Sequence, residues 1–73
     1  MATQIVMDGS GDTRHYFDAE EPNALAKAEE RFKLLTDDGF VAAKRTGVGQ
    51  VLRIRSFDPT AEETLFFPRL VGG

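Results

Sequence analysis

Apolar residues follow two different periods along the chain, and the changes of period predict its elements. Ile5-Val6-Met7 and 13–17 are short β-prone segments. They flank 8–12, which is dense in turn residues, so we predict a β-hairpin. From Leu25 onward, apolar residues recur three, seven and ten positions later, at Ala28, Phe32 and Leu35. That single apolar stripe predicts an amphipathic helix.

Residues typical of helix ends border this segment. Asp18 or Glu21 precedes Pro22, and proline is favoured in the first helical turn. Gly39 follows 36–38 and is suited to the left-handed backbone position just past a helix. We therefore predict a helix of about 15 residues, four turns at 3.6 residues each.

The second half of the chain predicts another hairpin and a last strand. Segment 40–46 is a third strand, 47–50 a turn, and 51–57 a fourth strand with alternating apolar and polar residues. Segment 58–63 begins with Asp58-Pro59, which is typical of a short helical turn. Segment 64–67 is a fifth strand that ends at Pro68.

These elements predict an α+β fold with a mixed five-stranded sheet and one helix packed on one of its faces. The order is two strands, the helix, two strands, a short helical turn and a last strand. The fifth strand is most simply accommodated mid-sheet, parallel to the first. Alternation predicts that seven apolar residues face the helix: Ile5, Met7, Phe17, Leu52, Ile54, Leu65 and Phe67. It predicts that five residues face outward: Val6, Tyr16, Arg53, Arg55 and Phe66.

Length and composition limit the chemistry that this chain can perform. Its 73 residues allow one domain, and it has no Cys and one His. Thiolate metal sites and thiol nucleophiles are excluded, and no nucleophile–base pair is visible, so we expect no enzyme, metal or cofactor. Absence of disulfides favours a reducing cytoplasm. No signal peptide or membrane span is visible in the sequence.

Charge is distributed unevenly. Residues 18–38 hold seven acids and three bases, whereas 39–57 hold four bases and no acid: Lys44, Arg45, Arg53 and Arg55. The basic second hairpin could contact an acidic protein or nucleic acid. Because the whole chain carries a net charge of −3, counterion release from a nucleic acid would be small. We therefore expect no nucleic-acid partner.

The end of the chain carries a resemblance. Arg69-Leu70-Val71-Gly72-Gly73 is similar to ubiquitin's final Arg-Leu-Arg-Gly-Gly, and the order of elements resembles the ubiquitin-like β-grasp fold. Phe66-Phe67-Pro68, just before it, instead resembles the small-subunit sulfur carriers of molybdopterin synthesis. The resemblance implies a β-grasp domain over 1–68 and a flexible tail over 69–73.

In both families an ATP-dependent activating enzyme adenylates the terminal glycine carboxylate. The resemblance thus implies that Gly72 and Gly73 are the activation site and that Arg69, Leu70 and Val71 are recognised beside it. Glycine lacks a Cβ, so such a tail can enter a narrow channel. Val71 stands where ubiquitin has Arg, which suggests a dedicated activating enzyme.

Three hypotheses follow for the function. The first is a protein modifier whose Gly73 is joined to a target amine. The second is a sulfur carrier whose Gly73 becomes a thiocarboxylate and meets a sulfur-transfer partner. The third is a non-covalent binding module. We expect a monomer in each case.

Ubiquitin also presents an apolar patch on its exposed sheet face. By analogy, the outward residues predicted above form the partner-binding surface: Val6, Tyr16, Arg53, Arg55 and Phe66. Apolar residues beside arginines are typical of interface hot spots.

Overall fold

A computed structural model describes residues 1–69 of the chain. One helix packs on a five-stranded mixed sheet, which makes the fold α+β. The elements are β1 (Ala2–Asp8), β2 (Gly11–Phe17), α1 (Pro22–Asp37), β3 (Phe40–Gly47), β4 (Gln50–Ile54) and β5 (Glu63–Pro68). No helix within this range is long and apolar enough to cross a membrane.

The strand order across the sheet is β2-β1-β5-β3-β4. The last strand lies in the centre, parallel to β1 and antiparallel to β3. The two hairpins, β1–β2 and β3–β4, are antiparallel and form the flanks. The predicted central position of the fifth strand is confirmed.

The helix begins and ends where the sequence predicted. The Glu21 side chain accepts a hydrogen bond from the Ala24 amide at 2.7 Å, so Glu21 rather than Asp18 is the N-cap. At the other end, Gly39 has a φ of 99°. Of the apolar stripe, Ala28 and Phe32 are fully buried, whereas Leu25 and Leu35 are half-buried.

The core lies between this stripe and the central strands. Its buried members are Val6, Phe32, Ala42 and Phe66. The Phe32 ring packs edge-on against Phe66, with ring centres 5.6 Å apart, and against Phe57, at 5.9 Å. The strand β4 ends at Ile54 and does not continue to 57, because Phe57 packs against Phe32 instead of extending the strand. The chain bends at 55–56 and leaves the sheet edge, which brings Phe57 into the core.

Segment 58–62 forms the predicted short turn, but no regular helix. It contains a single hydrogen-bonded turn, in which the Ala61 amide donates to the Asp58 carbonyl at 3.2 Å. Asp58 Oδ1 accepts bonds from the amide and hydroxyl of Thr60. The capping chemistry was therefore predicted, but no helix follows because Glu63 already belongs to β5.

The predicted facing of β1 and β5 is wrong. Val6 and Phe66 belong to the core beneath the helix, so alternation turns Ile5, Met7, Leu65 and Phe67 to the opposite face. The physical reason is that both strands are apolar at three consecutive positions. Either facing would therefore have buried large apolar side chains.

The observed facing also places a polar residue of β1, Gln4, inside the protein. It is fully buried on the helix side, two residues before Val6. Its Nε2 donates to the Ala28 carbonyl at 2.9 Å, and its Oε1 accepts from Arg31 at 2.7 Å. A glutamine in a strand suggests a position that faces solvent, but here both polar atoms of the Gln4 side chain have hydrogen-bond partners inside the protein.

Candidate functional site: the tail end and the outer sheet face

The strands β1 and β5 are parallel, so their carboxyl-terminal ends lie at the same end of the sheet. We call this end of the sheet the tail end, because β5 leads from it into the tail. The last residue that the structure describes, Arg69, is exposed, and its amide donates to the Gly39 carbonyl at 3.3 Å. Leu70, Val71, Gly72 and Gly73 lie outside the described residues, so the activation site remains a prediction.

Three arginines line a shallow concavity of about 230 Å³ at the tail end: Arg53, Arg55 and Arg69. They come from the end of β4, the bend after it and the residue after β5. Within residues 1–69, the ion pairs are Lys44–Asp58 and Arg45–Glu63, so none of the three is paired there. Arg69, the first residue of the tail, therefore shares one concavity with two further arginines.

The face of the sheet opposite the helix, which we call the outer face, is apolar at its centre. No other element covers this face within residues 1–69. Six side chains alternate onto it from the three central strands and form what we call the outer patch: Ile5, Met7, Val41, Ala43, Leu65 and Phe67. Ile5 and Ala43, in the middle, are 5% and 2% exposed, whereas Phe67, at the tail end, is 37% exposed.

Pairing between strands aligns the outer patch with arginines at both sides. In one row across the sheet, Arg14 pairs with Ile5, Ile5 with Leu65, Leu65 with Ala43, and Ala43 with Arg53. The row is thus apolar over the three central strands and basic at both edge strands. Such a combination suits a partner whose apolar contact residues are flanked by carboxylates.

The five residues predicted to form a binding surface fall into two groups. Tyr16 is 65% exposed, and Arg53 and Arg55 are exposed, so all three are accessible to a partner. Val6 and Phe66 are buried in the core and cannot contact one. Their inclusion was an error that follows from the wrong facing of β1 and β5.

Sequence reasoning missed the outer patch itself. A signal was present, because Ile5-Val6-Met7 and Leu65-Phe66-Phe67 are continuous apolar runs. Such runs are typical of strands with apolar residues on both faces. In a strand with one buried and one solvent-exposed face, apolar and polar residues would alternate instead.

The basic second hairpin is joined to segment 58–63 by its two ion pairs. Lys44 Nζ contacts Asp58 Oδ2, and the Arg45 guanidinium lies 2.8 Å from Glu63 Oε1. The hydrogen bond from Lys44, followed by those from Thr60, holds the pKa of Asp58 well below its ordinary value. These two bases are therefore engaged within the fold, unlike Arg53 and Arg55.

His15, the single imidazole, lies on the helix side of β2 near Arg31. Partial burial lowers the pKa of His15, and the nearby positive charge of Arg31 lowers that pKa further. Among residues 1–69, no group of three or more His, Asp or Glu side chains is placed to hold a metal ion.

No family model, curated protein or solved structure matches the chain.

Proposed function

We propose that the chain is a ubiquitin-like modifier with a β-grasp fold, in which the Gly73 carboxylate is the reacting group. The observation that carries this proposal is the course of the chain at its end. The central strand β5 leads directly into Arg69 at the tail end, and the sequence that follows is Leu-Val-Gly-Gly. A mixed sheet with β5 at its centre, parallel to β1, is consistent with a β-grasp fold and supports the proposal.

The chemistry assigned to the tail takes place in two steps. The Gly73 carboxylate attacks the α-phosphorus of ATP, so that an acyl-adenylate forms and pyrophosphate leaves. In the direct route, an amine of the target then attacks the acyl carbon of the adenylate, loses a proton and displaces AMP. In the thioester route, a cysteine thiolate of the conjugating enzymes displaces AMP first, and the amine then displaces that thiolate. The proposal takes Gly73 as the reacting terminus, whether it is encoded so or released by a peptidase.

In this proposal the folded domain is the part that the activating enzyme recognises. Arg53, Arg55 and Arg69 line the concavity at the tail end, and the outer patch continues from there across the sheet. An enzyme surface with apolar residues and carboxylates would match both features. Recognition by the domain and threading of the tail would then share one approach direction.

ATP–pyrophosphate exchange with the cognate activating enzyme tests the proposal. The full chain should support exchange. Deletion of Gly72 and Gly73, or Gly72→Val, should abolish it while thermal unfolding stays unchanged, because the described core is built from Val6, Phe32, Ala42 and Phe66. Undiminished exchange with the deletion variant would overturn the proposal.

A second candidate is the sulfur carrier, which Phe66-Phe67-Pro68 favours through its resemblance to that family. Both phenylalanines also have roles in the fold, because Phe66 is a core residue and Phe67 belongs to the outer patch. The intact mass of the activated product separates the candidates. Replacement of one terminal oxygen by sulfur indicates a carrier, whereas covalent species of larger mass indicate a modifier.

A further inference from the structure

The β4 strand is an open edge of the sheet. Among residues 1–69, β3 is its one strand neighbour. Alternate N–H and C=O groups of β4 therefore point away from the sheet without a strand partner, and an extended segment from another molecule can pair with them.

The two edges of the sheet differ in how they are protected against such pairing. The opposite edge, β2, is Gly11–Phe17 and carries charged or polar side chains at four successive positions, from Asp12 to His15. Charged side chains along an edge oppose the addition of another strand. The β4 edge instead has two adjacent aliphatic residues, Val51 and Leu52, which are 55% and 54% exposed.

These two aliphatic residues lie on opposite faces of the sheet. Val51 pairs with Arg45 and, like Arg53, lies on the outer face, whereas Leu52 pairs with Lys44 on the helix side. An added strand would therefore find an apolar neighbour on each face. Apolar exposure on both faces of an edge strand is otherwise a liability for aggregation.

Charge determines which kind of strand fits. Residues 39–57 contain four bases and no acid, and Arg53 and Arg55 have no ion pair within residues 1–69. A second copy of this chain would bring another basic hairpin against the first, and like charges in facing strands are destabilising. A strand that carries carboxylates on the outer face, opposite Arg53, would be stabilised instead.

We propose that the β4 edge binds an extended segment of another protein in which apolar and acidic residues alternate. An apolar residue of that segment packs against Leu52 on the helix side. An acidic residue pairs with Arg53 on the outer face. This inference does not depend on the proposed reaction of Gly73, because backbone pairing along β4 needs no activated tail.

Synthetic peptides added to the ¹⁵N-labelled full chain test this proposal. The probe is a short peptide of alternating Glu and Val, compared with a peptide of the same composition in which Glu and Val form separate blocks. The alternating probe should shift the amide resonances of residues 50–54 and slow their hydrogen exchange, and the block peptide should bind more weakly by about tenfold or more.

Three variants locate the contact. Leu52→Thr should weaken binding of the alternating Glu–Val probe by about tenfold or more. Val48→Thr, the matched control, should leave it unchanged, because Val48 is fully exposed at the hairpin tip and outside β4. Arg53→Glu should weaken the Glu–Val probe and favour an alternating Lys–Val peptide. All three side chains are exposed, so each variant should fold.

Several results would overturn the proposal. One is equal affinity for the alternating and block peptides, and another is a shift of β2 amides instead of β4 amides. A third is failure of the alternating probe to bind at millimolar concentration. Sedimentation of the chain as a dimer, together with dissociation of that dimer by Leu52→Thr, is a fourth. That result would show that the β4 edge binds a second copy of this chain and not an acidic strand of another protein.

Discussion

Phe32 is the residue on which the packing of the helix against the sheet depends. It is 2% exposed and contacts two other aromatic rings edge-on, Phe57 and Phe66, from different parts of the chain. Phe32→Ala removes the whole buried ring and both aromatic contacts. Such truncations cost about 3–5 kcal/mol. A chain of this length has a total stability of roughly 4–11 kcal/mol.

Urea unfolding followed by circular dichroism measures the effect directly. The variant should unfold at much lower urea, and its melting temperature should fall by at least about 12 °C. Leu34→Ala is the matched control, since it truncates an apolar side chain of the same helix that is 64% exposed. That control should change the free energy of unfolding by less than about 0.5 kcal/mol. Equal losses for the two variants would refute the assignment of the core.

Three further predictions concern the backbone and the polar contacts. Gly39→Ala should destabilise by about 1–2 kcal/mol in urea unfolding, because residue 39 has a φ of 99°, whereas Gly9→Ala, in open space without a positive φ, should not. Gln4→Ala should cost about 1–3 kcal/mol in the same assay, because it removes a buried hydrogen-bonded amide. Lys44 lowers the pKa of Asp58, so the stability gained from Asp58 is present above its ordinary pKa of 3.8 and is lost as pH falls below that value. The urea midpoint of Asp58→Asn should accordingly fall less between pH 5 and pH 2 than that of the parent, and equal falls would contradict this.

Local features of the sequence determine the helix, and for that reason it could be predicted closely. The apolar stripe, the residue before Pro22 and the glycine after the last turn all act within a few residues of one another. Each has its expected role in the structure, with Glu21 as the N-cap and Gly39 in a left-handed conformation. Propensity and capping agree along this segment, which is typical of an element specified locally.

The facing of the two central strands depends on contacts that are distant in sequence. The observed facing of β1 includes hydrogen bonds of Gln4 with Ala28 and Arg31, which are 24 and 27 residues away. A single sequence does not specify such contacts. The same reversal moved Phe66 from the predicted binding surface into the core.

The candidate site was therefore predicted in part. The prediction that Arg53 and Tyr16 are exposed is confirmed. Both residues lie in edge strands, where their exposure does not depend on which face the side chains of the central strands β1 and β5 turn to the helix. The outer patch emerged only when pairing aligned β1, β5 and β3. The roles of the tail residues stay predictions, since they rest on the sequence 69–73 and its resemblance.

The most direct test of the central claim is a search for the tail of this chain on other proteins. Trypsin cleaves after arginine, so a target joined to Gly73 should keep the four residues that follow Arg69, Leu-Val-Gly-Gly, on a lysine. Cells that express the amino-terminally tagged chain should yield lysine peptides with this remnant. Cells that express the chain without Gly72 and Gly73 should yield none. Absence of the remnant from cells that contain both the full chain and its activating enzyme would contradict the account.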